Sequence, residues 1–158
     1  MNEETFWELV NAAGSSDESG DRLRQTLSGL PAEAVASFDG LFCSRLAELY
    51  TNKLWGAGYV ANGGMSDDSF EYFRTWIVMQ GPKVFESVAK DPDSLAKFES
   101  VANFEGPQYA AGDVYKELTG DYQPIVSKSP EGSLGEEWDF DDDDEMRTRY
   151  PRLTEKYF

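Results

Sequence analysis

Histidine is absent from this 158-residue chain, and cysteine occurs only once, as Cys43. Without histidine the chain cannot assemble a Ser-His or Cys-His catalytic pair. A single cysteine excludes an internal disulfide and leaves one thiolate among otherwise oxygen-based metal ligands, so structural zinc is excluded as well. We therefore expect no cofactor, no bound metal and no catalytic residues of these types.

Basic residues are also scarce, because 14 lysines and arginines face 30 aspartates and glutamates, which gives a net charge of −16. This charge repels nucleic-acid phosphate and anionic lipid, and it favours a basic protein as partner. The sequence has no run of eighteen apolar residues, and its first residues are acidic where a secretory signal would be basic. We predict a cytoplasmic protein that binds neither nucleic acid nor membranes. The composition leaves its oligomeric state open.

Apolar residues recur at intervals of three or four along most of the chain, as they do in amphipathic helices. Asn2 and Ser66 are suitable N-caps, and the run Asn62-Gly63-Gly64 is able to take the left-handed backbone that ends a helix. The stretch from Phe70 to Gln80 is apolar on all sides, which indicates a central and buried helix. The same spacing predicts further helices around residues 6–13, 23–30, 35–49, 54–61, 84–88 and 107–119.

These patterns predict an all-α fold, a compact single-domain bundle of several helices around the central aromatic helix, with an acidic irregular C-terminal segment. We assign residues 1–120 to the helical core and residues 121–158 to a segment that packs back on the same domain. Tyr150, Leu153 and Tyr157 are the expected docking residues of that segment, and Pro151 is expected to set the start of the docking element.

The stretch from Trp55 to Trp76 combines glycines with aromatic side chains. Gly56, Gly58 and Ala61 match the spacing of a dinucleotide-binding fingerprint. That fingerprint follows a strand, however, whereas the residues before Gly56 have helical spacing. We favour close helix packing, in which Gly56 and Gly58 lie under large aromatic neighbours.

The same stretch holds our candidate binding corner, defined by six side chains: Trp55, Asn62, Asp67, Asp68, Glu71 and Arg74. Capping of a helix start explains the two aspartates, and an ion pair to Glu71, Asp67 or Asp68 explains Arg74. The functional alternatives are an anion-binding guanidinium and a pair of hydrolytic carboxylates.

Eight of the ten residues from Glu136 to Glu145 are acidic. Mutual repulsion predicts an extended conformation for this run. Three interpretations stay open: a solvated linker, an electrostatic contact for a basic protein, and a mimic of nucleic-acid charge.

Several separated stretches resemble the bacterial Domain of Unknown Function 4240 family. The likeness begins with ETFWELV at 4–10, WGA at 55–57, NGG at 62–64, SDDSF at 66–70 and YFRTW at 72–76. It continues with QG at 80–81, VFE at 84–86, DPDSL at 91–95, PRL at 151–153 and KY at 156–157. The resemblance implies no established activity and supplies no catalytic residue. It implies a module that stands alone or is attached to WGR domains in regulator-like proteins.

We therefore hypothesise a non-enzymatic α-helical interaction module that binds a protein partner in a regulatory or toxin-antagonist setting. The alternative is an enzyme or small-ligand binder that uses the Asn62–Arg74 corner. That alternative requires Asp67, Asp68 and Arg74 to converge on a cavity open to solvent.

Overall fold

The computed structural model describes residues 1–123 and 134–158. Regular secondary structure in these ranges is helical throughout, which confirms the predicted all-α fold. A short 3₁₀ helix spans Pro92–Lys97. The α-helices are α1 (Glu3–Ala13), α2 (Ser19–Ser28), α3 (Ala32–Glu48), α4 (Asn52–Asn62), α5 (Asp67–Met79), α6 (Pro82–Lys90), α7 (Gly106–Thr119), α8 (Asp143–Arg149) and α9 (Pro151–Tyr157).

The predicted capping residues occupy the helix ends. Asn2 accepts a hydrogen bond from the Thr5 amide (2.8 Å) at the start of α1. Ser66 accepts one from the Ser69 amide (3.2 Å) at the start of α5. α4 ends at Gly63, whose φ of 68° is left-handed. Glycine adopts that conformation without a Cβ clash, so the chain can turn sharply from α4 into α5.

α5 is the centre of the fold. Eight of its thirteen residues are buried, and Phe73 and Ile77 are fully so. α1, α3, α4, α6 and α7 all contact this helix. One cluster of buried side chains extends from α1 to α9. The prediction of a central aromatic helix is therefore confirmed.

The C-terminal helices return to the helical body. Tyr150 and Leu153 are buried in the common core, whereas Tyr157 is half-buried. Asp93, in the 3₁₀ helix, accepts hydrogen bonds from the amides of Arg152 (3.1 Å) and Leu153 (2.9 Å). These amides belong to the first turn of α9, so a carboxylate from a distant part of the chain caps this helix.

Ten residues of the predicted C-terminal segment, 124–133, lie outside the described ranges. The boundary at residue 120 therefore stays a prediction. None of the helices in the described ranges is both long and apolar enough to cross a membrane.

Candidate functional site

Three of the six predicted site residues lie exposed around the turn between α4 and α5: Asn62, Asp67 and Asp68. The Asn62 side chain donates to the Gly64 carbonyl (2.8 Å), and so supports the turn. Both aspartates are in the first turn of α5. The free amides of a helix start favour negative charge there. The contact of Asn62 supports the turn, and the positions of the two aspartates agree with their stabilising the start of α5.

Arg74, in contrast to these three exposed side chains, is buried, because only 8% of its surface is exposed. Its guanidinium donates to the Leu46 carbonyl (2.9 Å). The guanidinium carbon is 4.8 Å from the ring centroid of Tyr50 and 5.0 Å from that of Phe70. Two aromatic faces and one carbonyl therefore surround this cation.

The predicted ion pair of Arg74 is wrong. Glu71, one turn earlier on α5, accepts a hydrogen bond from Gln108 on α7 instead. Within residues 1–123 and 134–158, no carboxylate lies within 4 Å of the Arg74 guanidinium. Burial lowers the pKa of Arg74, and the nearby charge of Glu71 offsets part of this shift.

Trp55 is held against the same ring system. Its indole N–H donates to the Met65 carbonyl (3.0 Å), and its ring stacks on Phe70 at 4.7 Å and 11°. The structure thus brings Trp55 and Arg74 together around Phe70. It leaves the exposed acids of the corner apart from them. In the described part of the chain, no three Cys, Asp or Glu side chains converge in a way that could hold a metal ion.

The two glycines of the corner permit close packing, as predicted. A Cβ at Gly58 would lie 2.7 Å from the Met65 sulfur and 2.9 Å from Phe73. A Cβ at Gly56 would lie 2.5 Å from the Tyr150 hydroxyl and 3.1 Å from Trp138. Because Gly56 has no side chain, Tyr150 and Trp138 of the C-terminal region can pack directly against α4.

Residues 136–145, which we call the acidic strap, lie along α4. The Asn52 amide donates to the Leu134 carbonyl (2.8 Å), and the Asn52 side chain donates to the Glu136 carbonyl (3.1 Å). Further along, the Tyr59 hydroxyl donates to a carboxylate oxygen of Asp141 (2.6 Å). This hydrogen bond raises the pKa of Tyr59. The strap is thus attached to α4 at its start, through Glu136, and at its middle, through Asp141.

Arg149 on α8 fixes the start of the strap. Two of its guanidinium nitrogens donate to the two carboxylate oxygens of Glu136 (2.7 and 3.2 Å), and its Nε donates to Glu145 (2.6 Å). The guanidinium carbon lies 3.8 Å from the ring centroid of Trp138. The hydrogen bonds to Arg149 lower the pKa of Glu136, and the one with Glu136 raises the pKa of Arg149. Forked pairs of this kind set orientation as well as charge.

The prediction of an extended acidic run is wrong for its last residues, because Asp143, Asp144 and Glu145 form the first turn of α8. Asp142 caps that turn by accepting hydrogen bonds from the amides of Asp144 and Glu145 (3.1 Å each). The helix start stabilises these carboxylates, and this offsets their mutual repulsion.

Most of the strap's carboxylates face solvent. Asp144 lies 3.8 Å from Arg147, a distance that adds little stability at an exposed site. Within the described ranges, five exposed acids of the strap have no basic side chain within 4 Å: Glu137, Asp139, Asp141, Asp142 and Asp143. The strap therefore presents unneutralised carboxylates from a backbone that is attached to the core.

Sequence reasoning missed the side chains that attach the strap: Tyr59, Trp138, Phe140 and Arg149. One signal was available, because Trp138 and Phe140 are two residues apart within the acidic run. In an extended chain, residues at this spacing point to the same side. Two large rings on one side indicate a packed face, which a solvated linker would not need.

Neither a curated protein nor a solved structure matches the chain. A family model described as protein of unknown function (DUF4240) matches residues 1–117. The match spans α1 to α6 and most of α7, and it includes the candidate binding corner. It ends before the acidic strap, so the likeness expected at residues 151–157 lies beyond it. Because well over half of the chain matches, the chain belongs to the DUF4240 family.

Proposed function

We propose that this protein is a non-enzymatic, cytoplasmic interaction module that binds a protein partner with a basic surface. The observation that carries the proposal is the attachment of the acidic strap, whose exposed carboxylates project from a segment fixed on α4 and α8. A fixed array of like charges is repulsive by itself, and an oppositely charged partner relieves that repulsion.

A regulatory or toxin-antagonist role fits this chemistry. Charge complementarity speeds encounter and helps to reject wrong partners. A module that acts by occupying the basic surface of another protein needs no catalytic residues of its own. This part of the proposal rests on the acidic strap and on the composition, and the partner's identity would test it directly.

The alternative function, an enzyme or small-ligand binder at the corner, gains no support from the geometry. Asp67 and Asp68 lie in solvent, while Arg74 is buried among rings. Of the six corner side chains, only Trp55 is among the described lining residues of the two cavities beside α4; Asp67, Asp68 and Arg74 are not among them.

The proposal is tested by affinity capture from native lysate at low and high salt, with two variants of equal net charge. The strap variant neutralises four unpaired acids: Glu137→Gln, Asp139→Asn, Asp141→Asn and Asp143→Asn. The control variant neutralises four exposed acids elsewhere: Glu86→Gln, Glu99→Gln, Glu117→Gln and Glu155→Gln. Asparagine at 139 and 141 keeps an oxygen acceptor for the local hydrogen bonds.

We expect the wild type and the control variant to recover the same basic protein at low salt and to lose it at high salt. The strap variant is expected to recover much less of it at low salt. Recovery of no basic protein under either condition would contradict the proposal. Equal losses in the two variants would also contradict it, because they would make net charge alone responsible.

A further inference from the structure

A cleft of about 290 Å³ lies between α4 and the acidic strap. Four of its lining side chains are aromatic: Trp55, Tyr59, Trp138 and Phe140. The other lining residues that the structure describes are Asn52, Met65 and Glu137, and Glu137 is the charged one among them. The cleft is therefore mostly apolar with a negative charge at its rim.

The rings are arranged around Phe140. Its centroid lies 5.5 Å from those of Tyr59 and Trp138 and 6.5 Å from that of Trp55. The planes of all three neighbours are inclined by 55° to 61° to the Phe140 plane. Rings inclined in this way present faces in several directions, and an aromatic face attracts cations.

Each neighbouring ring is fixed by a polar contact of its own. The indole of Trp55 donates to the Met65 carbonyl, and that of Trp138 contacts the Met146 sulfur (3.3 Å). The Tyr59 hydroxyl donates to Asp141. Donation to a carboxylate also makes the tyrosine ring more electron-rich. A preformed site of this kind loses little side-chain entropy when it binds a ligand.

One ring of the cleft, Trp138, already binds a cation elsewhere on its surface. The Arg149 guanidinium lies over the ring of Trp138 and between the carboxylates of Glu136 and Glu145. The cleft repeats this combination of ring faces and a carboxylate, with Glu137 in place of the two glutamates. In the cleft, however, none of the described lining residues is basic.

We propose that the cleft receives the ammonium group of a lysine side chain on the basic partner. A lysine has an apolar stem that fits along the rings, and its compact charge can approach Glu137. This inference rests on the proposed function and adds a specific contact, a lysine side chain in the cleft, by which the protein recognises its partner. Asp139 and Asp141, on either side of Phe140, strengthen the attraction at longer range.

The test is a titration of the full-length protein, followed by ¹H–¹⁵N spectra. The chain has four tryptophans, so the indole signals of Trp55 and Trp138 can be compared with those of Trp7 and Trp76. The probes are Nα-acetyl-lysine methylamide, its norleucine analogue without charge, the arginine analogue, and choline. We expect saturable shifts at Trp55 and Trp138 and none at the core tryptophans. The lysine probe should bind at least about fivefold more tightly than the norleucine probe.

Variants assign the effect to the cleft. Tyr59→Leu and Glu137→Gln should each weaken the lysine probe about fivefold. Tyr59→Phe keeps the ring and should retain most of the binding. The matched controls are Tyr109→Leu and Glu117→Gln, both at exposed positions on α7, and these should change nothing. The spectrum of each variant reports in the same sample whether it is folded.

Several results would overturn the inference. These are equal shifts with the norleucine probe, no saturable shift up to the solubility of the lysine probe, or tighter binding of arginine or choline than of lysine. Strap-dependent capture of a basic protein that Tyr59→Leu leaves undiminished would overturn it while the proposed function stood. Selective lysine binding without any captured partner would instead support the cleft and count against the proposed partner.

Discussion

Two arginines lie over aromatic rings in different regions of the molecule, Arg74 in the candidate binding corner and Arg149 beside the acidic strap. Arg74 is 8% exposed and contacts two rings and a carbonyl. The Arg149 side chain is 26% exposed and contacts one ring and the carboxylates of Glu136 and Glu145. The guanidinium of Arg74 is thus held by packing in the core, whereas that of Arg149 is held by charge pairing at the surface.

The position of the Arg74 guanidinium explains why it needs no carboxylate. Leu46, its acceptor, lies in the last turn of α3, where the carbonyls at the end of a helix carry partial negative charge. The faces of two rings add further attraction. A buried carboxylate would bring a desolvation penalty of its own. The difference teaches that the corner is built as a core, whereas the strap is built as a charged surface.

Truncation of Arg74 is the strongest test of this difference. Arg74→Ala should destabilise the protein by about 3 kcal/mol, because it leaves a cavity between two rings and removes the buried hydrogen bond to the Leu46 carbonyl. The measurement is equilibrium denaturation followed by circular dichroism. Arg74→Met keeps most of the volume and removes the charge, so its loss should be nearer to about 1 kcal/mol. If alanine and methionine were equally harmful, charge rather than packing would hold the corner together.

A second substitution, at Gly56, tests the contact between α4 and the C-terminal residues Trp138 and Tyr150. Gly56→Ala should destabilise the protein by about 2 kcal/mol, because its Cβ would overlap the Tyr150 hydroxyl and crowd Trp138. Urea denaturation measures the loss. Gly112→Ala is the matched control, since a Cβ there meets no atom within 4 Å, and it should stabilise α7 by up to about 1 kcal/mol. Similar effects of the two changes would mean that Tyr150 and Trp138 do not pack closely on Gly56.

The sequence predicted the corner better than the strap because the corner depends on local signals. Helical spacing placed α5 in the centre, and the capping roles of Ser66 and Gly63 follow from residue type alone. The close approach at Gly56 was expected as well. Its actual neighbours, Tyr150 and Trp138, are more than eighty residues further along the chain, and helical spacing carries no signal of such a contact.

The error on Arg74 has the same origin. The expected partners were acids on its own helix, because residues three or four apart on a helix are neighbours. The actual acceptor is a carbonyl of α3, and every residue has a carbonyl, so no residue type marks it. For the strap, the acidic composition predicts repulsion, but it does not predict the stabilising helix start at Asp142 or the pairing with Arg149.

The anchor of α9 gives a third and smaller test of the C-terminal region. Asp93→Ala should destabilise the protein by about 1.5 kcal/mol, because the buried carboxylate accepts two amide hydrogen bonds and one from the Arg152 side chain. Thermal denaturation reports this loss. Asp91→Ala is the control, because Asp91 is half-exposed and pairs with the Arg152 side chain alone. Its effect should stay below about 0.5 kcal/mol. An equally large effect at Asp91 would show that ion pairing, and not the helix cap, anchors α9.

The smallest effect is expected at Arg149, where pH dependence sharpens the comparison. Arg149→Met should lower the melting temperature by no more than about 3 °C at pH 7, because exposed ion pairs contribute little. Arg149 lowers the pKa of Glu136 in the folded protein. This contribution is therefore present above the ordinary pKa of a glutamate and is lost as the pH falls through the lower folded value. The difference between wild type and Arg149→Met should disappear in acid, whereas the loss in Arg74→Ala should largely persist. Melting curves of the three proteins from pH 7 down into the acid range, where Glu136 becomes protonated, test this. If the difference in melting temperature between wild type and Arg149→Met were independent of pH, Arg149 would stabilise the protein by packing on Trp138, as Arg74 does on its rings, and not by charge pairing.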